Sequence, residues 1–201
     1  GGDGMKKNLL RAAAALAGLI IGIAIFFPWN ALGSSLFAFA AKEGASRGVY
    51  VTASSSEVSG LFKKTFSYKG VNADLPVARA SLREVSVEPD ILSSLLSGEK
   101  SARLTFGRGS LVPVTRQPVE WNSGSASVRV TENTVIVEDI SFTGPTSVSG
   151  SAEISPSAMR LVRARLRVKA PPELDRMFEM LRMTNMLPLK KVKEGEWRIE
   201  R

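Results

Sequence analysis

Arg163, Arg165, Arg167 and Lys169 occupy alternate positions in an otherwise apolar run. In an extended strand, residues two apart point to one face. Four cations on one face can bind an anion, either lipid headgroups or an acidic partner. The same alternation is also how the wetted face of a half-buried sheet reads, with carboxylates on a neighbouring strand as partners. The carboxylates form no catalytic set. Glu138 and Asp139 are adjacent, so a strand would point them to opposite faces, and Asp74, Glu84 and Glu88 show no motif. The chain has no histidine and no cysteine. Those absences remove Ser-His and Cys-His nucleophiles, a histidine base and Cys/His zinc sites. Gly107-Arg108-Gly109 is too short for a phosphate loop and leads into a strand. The expectation is a protein that is not an enzyme and uses no cofactor or metal.

A second candidate is a methionine-rich helix opened by Pro171-Pro172 at Glu173. Leu174, Met177, Phe178 and Leu181 follow the i, i+3, i+4, i+7 rule, and Met180, Met183 and Met186 widen that face. Such a face either packs on a sheet or leaves a groove for a lipid or a partner. Pro188 closes the helix. Lys190, Lys191 and Lys193 follow, then Gly195 and a last strand, 196–201, with Trp197 and Ile199 on one side.

These groups must be carried by something, and the N-terminus says where. The run from Ala12 to Phe27 has no charged residue, and Lys6, Lys7 and Arg11 precede it. A spanning helix needs about 20 apolar residues. Residues 9–29 meet that length as a transmembrane anchor, with Leu16, Leu19, Ile20, Ile21, Ile23, Ile25, Phe26 and Phe27 facing lipid and Trp29 at the headgroups. A cleaved signal peptide is the competing reading, with Ala31-Leu32-Gly33 as its processing site. A structured exit argues against cleavage. Asn30 suits an N-cap, and Ala31 to Glu43 reads as a helix with Leu32, Leu36, Phe39 and Ala40 on one side, ended by Gly44. The basic flank places residues 1–8 in the cytoplasm and the rest outside it. Gly1 to Gly4, ahead of Met5, reads as an expression remnant. The expected division is therefore 1–8 tail, 9–29 anchor, 30–44 membrane-proximal helix and 45–201 exported domain.

The net charge is +8, from 27 basic and 19 acidic residues. Nucleic acid can explain such a balance, but not for a domain outside the cytoplasm. A membrane surface, phospholipid or an acidic protein fits that location better.

Within the exported part, Val49, Val51 and Ala53 alternate, as do Phe66 and Tyr68, and Val71 follows them; Leu82, Val85 and Val87 end a third run. Glu88-Pro89-Asp90 reads as a helix start with proline at its first position. Ile91, Leu92, Leu95 and Leu96 form its face, and Gly98 stops it. Strands resume at Leu104 and Phe106, then at Leu111 to Val114, where Pro113 points to a sheet edge. Residues 128–140 read as a hairpin turning at Glu132-Asn133. Val148, Ala152 and Ile154 make another strand, with Gly150 as a bulge, and Val162 to Ala170 the last long one. The fold class is mainly β with few helices (α+β). A transmembrane helix leads into an antiparallel β-rich domain packed by a C-terminal helix.

An anchor running into Phe27-Pro28-Trp29, a helix ending near Gly44, Pro172-Glu173-Leu174 opening a late helix and a final Gly195-Glu196-Trp197 strand together resemble the type II secretion system protein N family. That family looks related to the AsmA-like envelope proteins. The resemblance implies a single-pass protein of the bacterial inner membrane with a β-rich periplasmic domain. It would serve as an accessory of a type II secretion or type IV pilus-like machine through contacts with other envelope proteins. No catalytic residues come with it. The AsmA-like relatives imply an alternative, a lipid-binding or lipid-transfer module.

Overall fold

The computed structural model describes residues 15, 18, 19, 21, 22, 25–46, 48–61, 63–76, 78–91, 98, 100–113, 117–131, 133–155, 160–183 and 188–200. Helix α1 (Trp29–Ala45) leads into strands β1 (Tyr50–Thr52), β2 (Ser55–Ser59), β3 (Thr65–Leu75) and β4 (Ala78–Pro89). Next come β5 (Lys100–Phe106), β6 (Gly109–Pro113), β7 (Val119–Trp121), β8 (Ser123–Val130), β9 (Val135–Thr143), β10 (Ser147–Ser155) and β11 (Arg160–Lys169). Helix α2 (Pro172–Met183) precedes the closing strands β12 (Leu189–Lys193) and β13 (Glu196–Glu200).

The strands form one 13-stranded sheet whose main path is β1-β3-β4-β5-β8-β9-β10-β11-β13-β12, with β2 paired to β3, β6 to β4, and β7 to β6. Each pairing is antiparallel, so the chain meanders through neighbouring hairpins. β5 and β6 are two halves of one line. Both pair with β4 in a single register, and β7 and β8 continue it on the far side. The Gly107 N–H to Glu84 carbonyl bond and the Arg83 N–H to Arg108 carbonyl bond, both 2.8 Å, carry the ladder across the break.

Packing concentrates at the two ends. The first core is Phe66, Tyr68 and Val71, covered by Trp29, Leu32 and Phe37 of α1 and by Val51, Val58 and Leu82. The second is Val168, Leu189 and Trp197, covered by Phe178, Leu181, Val148 and Ile199.

The hairpin of β8 and β9 forms as the alternation predicts, with Val130 opposite Val135. Glu132 of its turn lies outside the described residues. Gly150 sits at a register shift with φ +138°, where only glycine is at ease. Three expectations need correction. β4 runs through Pro89, so this proline ends a strand, and the helical conformation begins only at Ile91; Leu92, Leu95 and Leu96 lie outside the described residues. Pro113 does not make β6 an edge, because β4 and β7 flank it. It is the last residue of β6, beyond the β7 pairing, where its missing N–H costs the ladder nothing. Residues 189–193, to which the sequence reading assigned no element, form a strand. Asn30 is not the N-cap, since α1 already begins at Trp29 with no side-chain cap.

Candidate functional site

The N-terminal end is built by close approach of α1 to the sheet. Gly33 is the buried residue of this helix, and a Cβ there would lie 2.9 Å from Val58 Cγ2 and 3.1 Å from Phe66 Cδ1. The gap lets the Tyr68 hydroxyl donate to the Gly33 carbonyl at 3.0 Å, beneath the Phe37 ring at 5.0 Å. Burial pushes the Tyr68 phenol above its ordinary pKa. Asn30, freed from capping, accepts the Val58 N–H at 2.9 Å, and Ser34 shares a 2.8 Å bond with Ser56. Side chains of α1 thus satisfy β2, which among the described residues pairs with β3 alone.

Trp29 is half-buried. It covers the first core, and the buried Lys64 places its ammonium 4.7 Å from the ring centroid. The expected apolar side of α1 is split. Leu32 packs inward with Trp29 and Phe37, whereas Leu36 and Phe39 face outward, Phe39 being 70% exposed. Before the helix, Leu19, Ile21, Ile25, Phe26 and Phe27 are also exposed, Phe26 at 84%. Leu16, Ile20 and Ile23 lie outside the described residues. Among the described residues, no helix is long and apolar enough to cross a membrane.

Between the two ends runs an apolar row. Tyr68, Val85, Phe106, Gly124, Phe142, Val148, Val168 and Trp197 are successive cross-strand partners from β3 to β13. Directly opposed residues share a face, so this row links the two cores. Its middle is aromatic. Phe142 stacks on Phe106 at 5.3 Å and takes the Trp121 edge at 5.5 Å. Gly124 is required there, because a Cβ would overlap the Phe142 ring. The polar face carries a matching row, Ser67, Ser86, Thr105, Ser125, Ser141, Ser149 and Arg167.

At the C-terminal end, Asp175 in the first turn of α2 clamps the last hairpin. Its Oδ1 accepts the Trp197 indole N–H at 2.6 Å and the Gly195 N–H at 3.2 Å, and its Oδ2 lies 3.4 Å from Lys191 Nζ. Desolvation pushes the Asp175 carboxyl up. The bonds from Trp197, Lys191 and Gly195 outweigh it and hold the group below its ordinary pKa. Lys191 also meets Glu179 at 3.1 Å, and that bond, against desolvation and with help from Asp175, raises its pKa. The methionine-rich face divides in the same way as α1. Leu174 and Met177 are buried and Phe178 and Leu181 join the second core, while Met180 and Met183 are exposed. Met186 lies outside the described residues.

The cationic alternation on β11 is borne out. Arg163, Arg165, Arg167 and Lys169 are exposed, and Ala164 and Val168 are buried between them. Arg167 lies 3.7 Å from Glu196. Glu138 pairs with Arg129 at 2.7 Å, and Asp139 occupies a bulge at φ +51°. A depression of about 750 Å³ is lined by both charged and apolar side chains, among them Glu88, Arg103, Ile91 and Val128. Among the described residues, no three acidic side chains gather as a metal site.

The family model described as "Type II secretion system protein GspN-like, Synergistales" matches residues 6–201. The chain belongs to this family. Neither the curated proteins nor the solved structures hold a significant match. For this GspN-like chain, the family places the fold in the envelope context of a secretion system. Asp175 and the three-lysine strand escaped the sequence reading. The only signal for Asp175 was its position in the first turn of a helix ahead of a Gly-x-Trp strand.

Proposed function

We propose that this GspN-like protein is a membrane-held accessory subunit of a type II secretion or type IV pilus-like machine, without catalysis or cofactor. It acts through protein contacts on the far side of the inner membrane. The match along residues 6–201 carries this reading. Two features support attachment to the membrane. Leu19, Ile21, Ile25 and Phe26 are exposed apolar residues directly ahead of α1, and Leu36 and Phe39 are exposed on the helix itself. Water is a poor solvent for such a surface, and the hydrocarbon-headgroup boundary is a good one.

The test is genetic. The gene is deleted from its host, the other secretion genes are left intact, and export of a type II cargo to the medium is measured. Loss of export, restored by the whole chain, is the expected result. Unchanged export refutes the secretion role. A second reading, lipid binding, is favoured by the apolar row from Tyr68 to Trp197, which α1 and α2 cover only at its ends. Native mass spectrometry of the purified chain separates the two. A bound phospholipid mass on the folded domain supports the second reading, and a lipid-free mass removes it.

A further inference from the structure

The polar face near the C-terminal edge holds an arrangement that a merely wetted sheet does not need. Arg167 on β11 lies directly opposite Arg198 on β13, and Arg198 lies directly opposite Lys190 on β12. Like charges in register destabilise a strand pair. Here two such pairs follow one another across strands about 4.8 Å apart. Arg165, two residues from Arg167 on the same face, adds a fourth cation.

The counter-charges present are few and shared. Glu200 lies 3.3 Å from Lys190 and 3.4 Å from Arg198. Glu196 lies 3.7 Å from Arg167 and 3.2 Å from Lys193. Glu200 is also the register partner of Arg165, so one carboxylate faces Arg165, Arg198 and Lys190 together. A hollow of about 260 Å³ opens between these groups, lined by Arg165, Arg167, Arg198, Ser149 and Glu200. Ser149 is the register partner of Arg167 and can donate its hydroxyl.

The geometry points to a binding site for a phosphate-type oxyanion in this hollow. Three guanidinium forks and a hydroxyl offer more donors than the two oxygens of a carboxylate can accept, whereas a phosphate presents three or four oxygens and up to two charges. The bound anion relieves the in-register repulsion, and Glu200 marks the limit of the site. Free phosphate and a phospholipid headgroup present the same chemistry. This inference rests on the C-terminal geometry alone and holds whether or not the chain serves in secretion.

The experiment is thermal unfolding of the full chain in neutral detergent at fixed ionic strength, with chloride exchanged for inorganic phosphate, glycerol phosphate or a hexaglutamate peptide. At tenfold excess over Kd, a specific ligand raises Tm by about 3–6 °C. The double variant R167Q/R198Q loses that rise. It also removes a repulsion, so it folds at least as well as the parent in chloride. Arg79→Gln, paired with Asp74 at the other end of the sheet, keeps the full rise. Equal effects of phosphate and glycerol phosphate support a free-phosphate source, and at least tenfold tighter glycerol phosphate supports a lipid headgroup. The assignment is overturned by no rise over chloride, by a rise that persists in R167Q/R198Q, or by a larger rise with hexaglutamate, which would make the patch a protein-docking surface.

Discussion

Trp197 is the residue on which the C-terminal end depends, and Trp197→Ala measures that dependence. The indole is 0% exposed, packs edge-on against Phe178 at 5.7 Å, and ties Asp175 of α2 to the last hairpin. A buried tryptophan withdraws about 150–250 Å² from water. At about 25 cal/mol per Å² that is about 4–6 kcal/mol, and a compact unfolded chain lowers the figure. The edge-on ring pair adds about 0.5–1.5 kcal/mol, and partial collapse of the cavity returns some of the loss. The expected destabilisation is about 3–5 kcal/mol, a drop in Tm of about 6–20 °C. Urea unfolding read by far-UV circular dichroism and by tryptophan emission is the assay. The chain has three tryptophans, so Trp29 and Trp121 remain as reporters of the first core and of the middle of the sheet. Because the two cores are joined by a continuous row, both signals should move together. A loss below about 1 kcal/mol would refute the view that this side chain holds the end. A shift in circular dichroism with no shift in emission would refute the coupling of the two cores through the sheet.

Gly124→Val should force the Phe142 ring from its seat on Phe106 and Trp121, at a cost of about 1–3 kcal/mol in urea unfolding; an unchanged midpoint would contradict the close approach. Asp175 has a lowered pKa, so its contribution is present above the ordinary carboxylate pKa and is lost as pH falls through the lowered value. Asp175→Asn should therefore flatten the acid limb of a Tm-against-pH profile and leave its neutral-to-acid slope smaller than that of the parent; parallel profiles would exclude the clamp as a source of that slope.

The amino-acid order alone determined the β-rich class, the hairpin at Val130 and Val135, the cationic face of β11 and the apolar stripe of the late helix. Each is a local periodicity, and periodicity survives without knowledge of neighbours. It also carried the family resemblance that the match along residues 6–201 establishes. Tertiary structure decided the rest. Leu36 and Phe39 belong by spacing to the apolar side of α1, but close packing at Gly33 turned Trp29, Leu32 and Phe37 inward instead. Asn30 is an apt cap by type, yet an unpaired N–H of β2 claimed its oxygen. Residues 189–193 have the composition of a solvated connection, and only pairing with the strand that holds Trp197 makes them the sheet's last strand. The alignment of Arg167, Arg198 and Lys190 is likewise invisible in the chain order. Register between strands is set by which hairpins close and by which side chains they bury, and neither is written within a single strand.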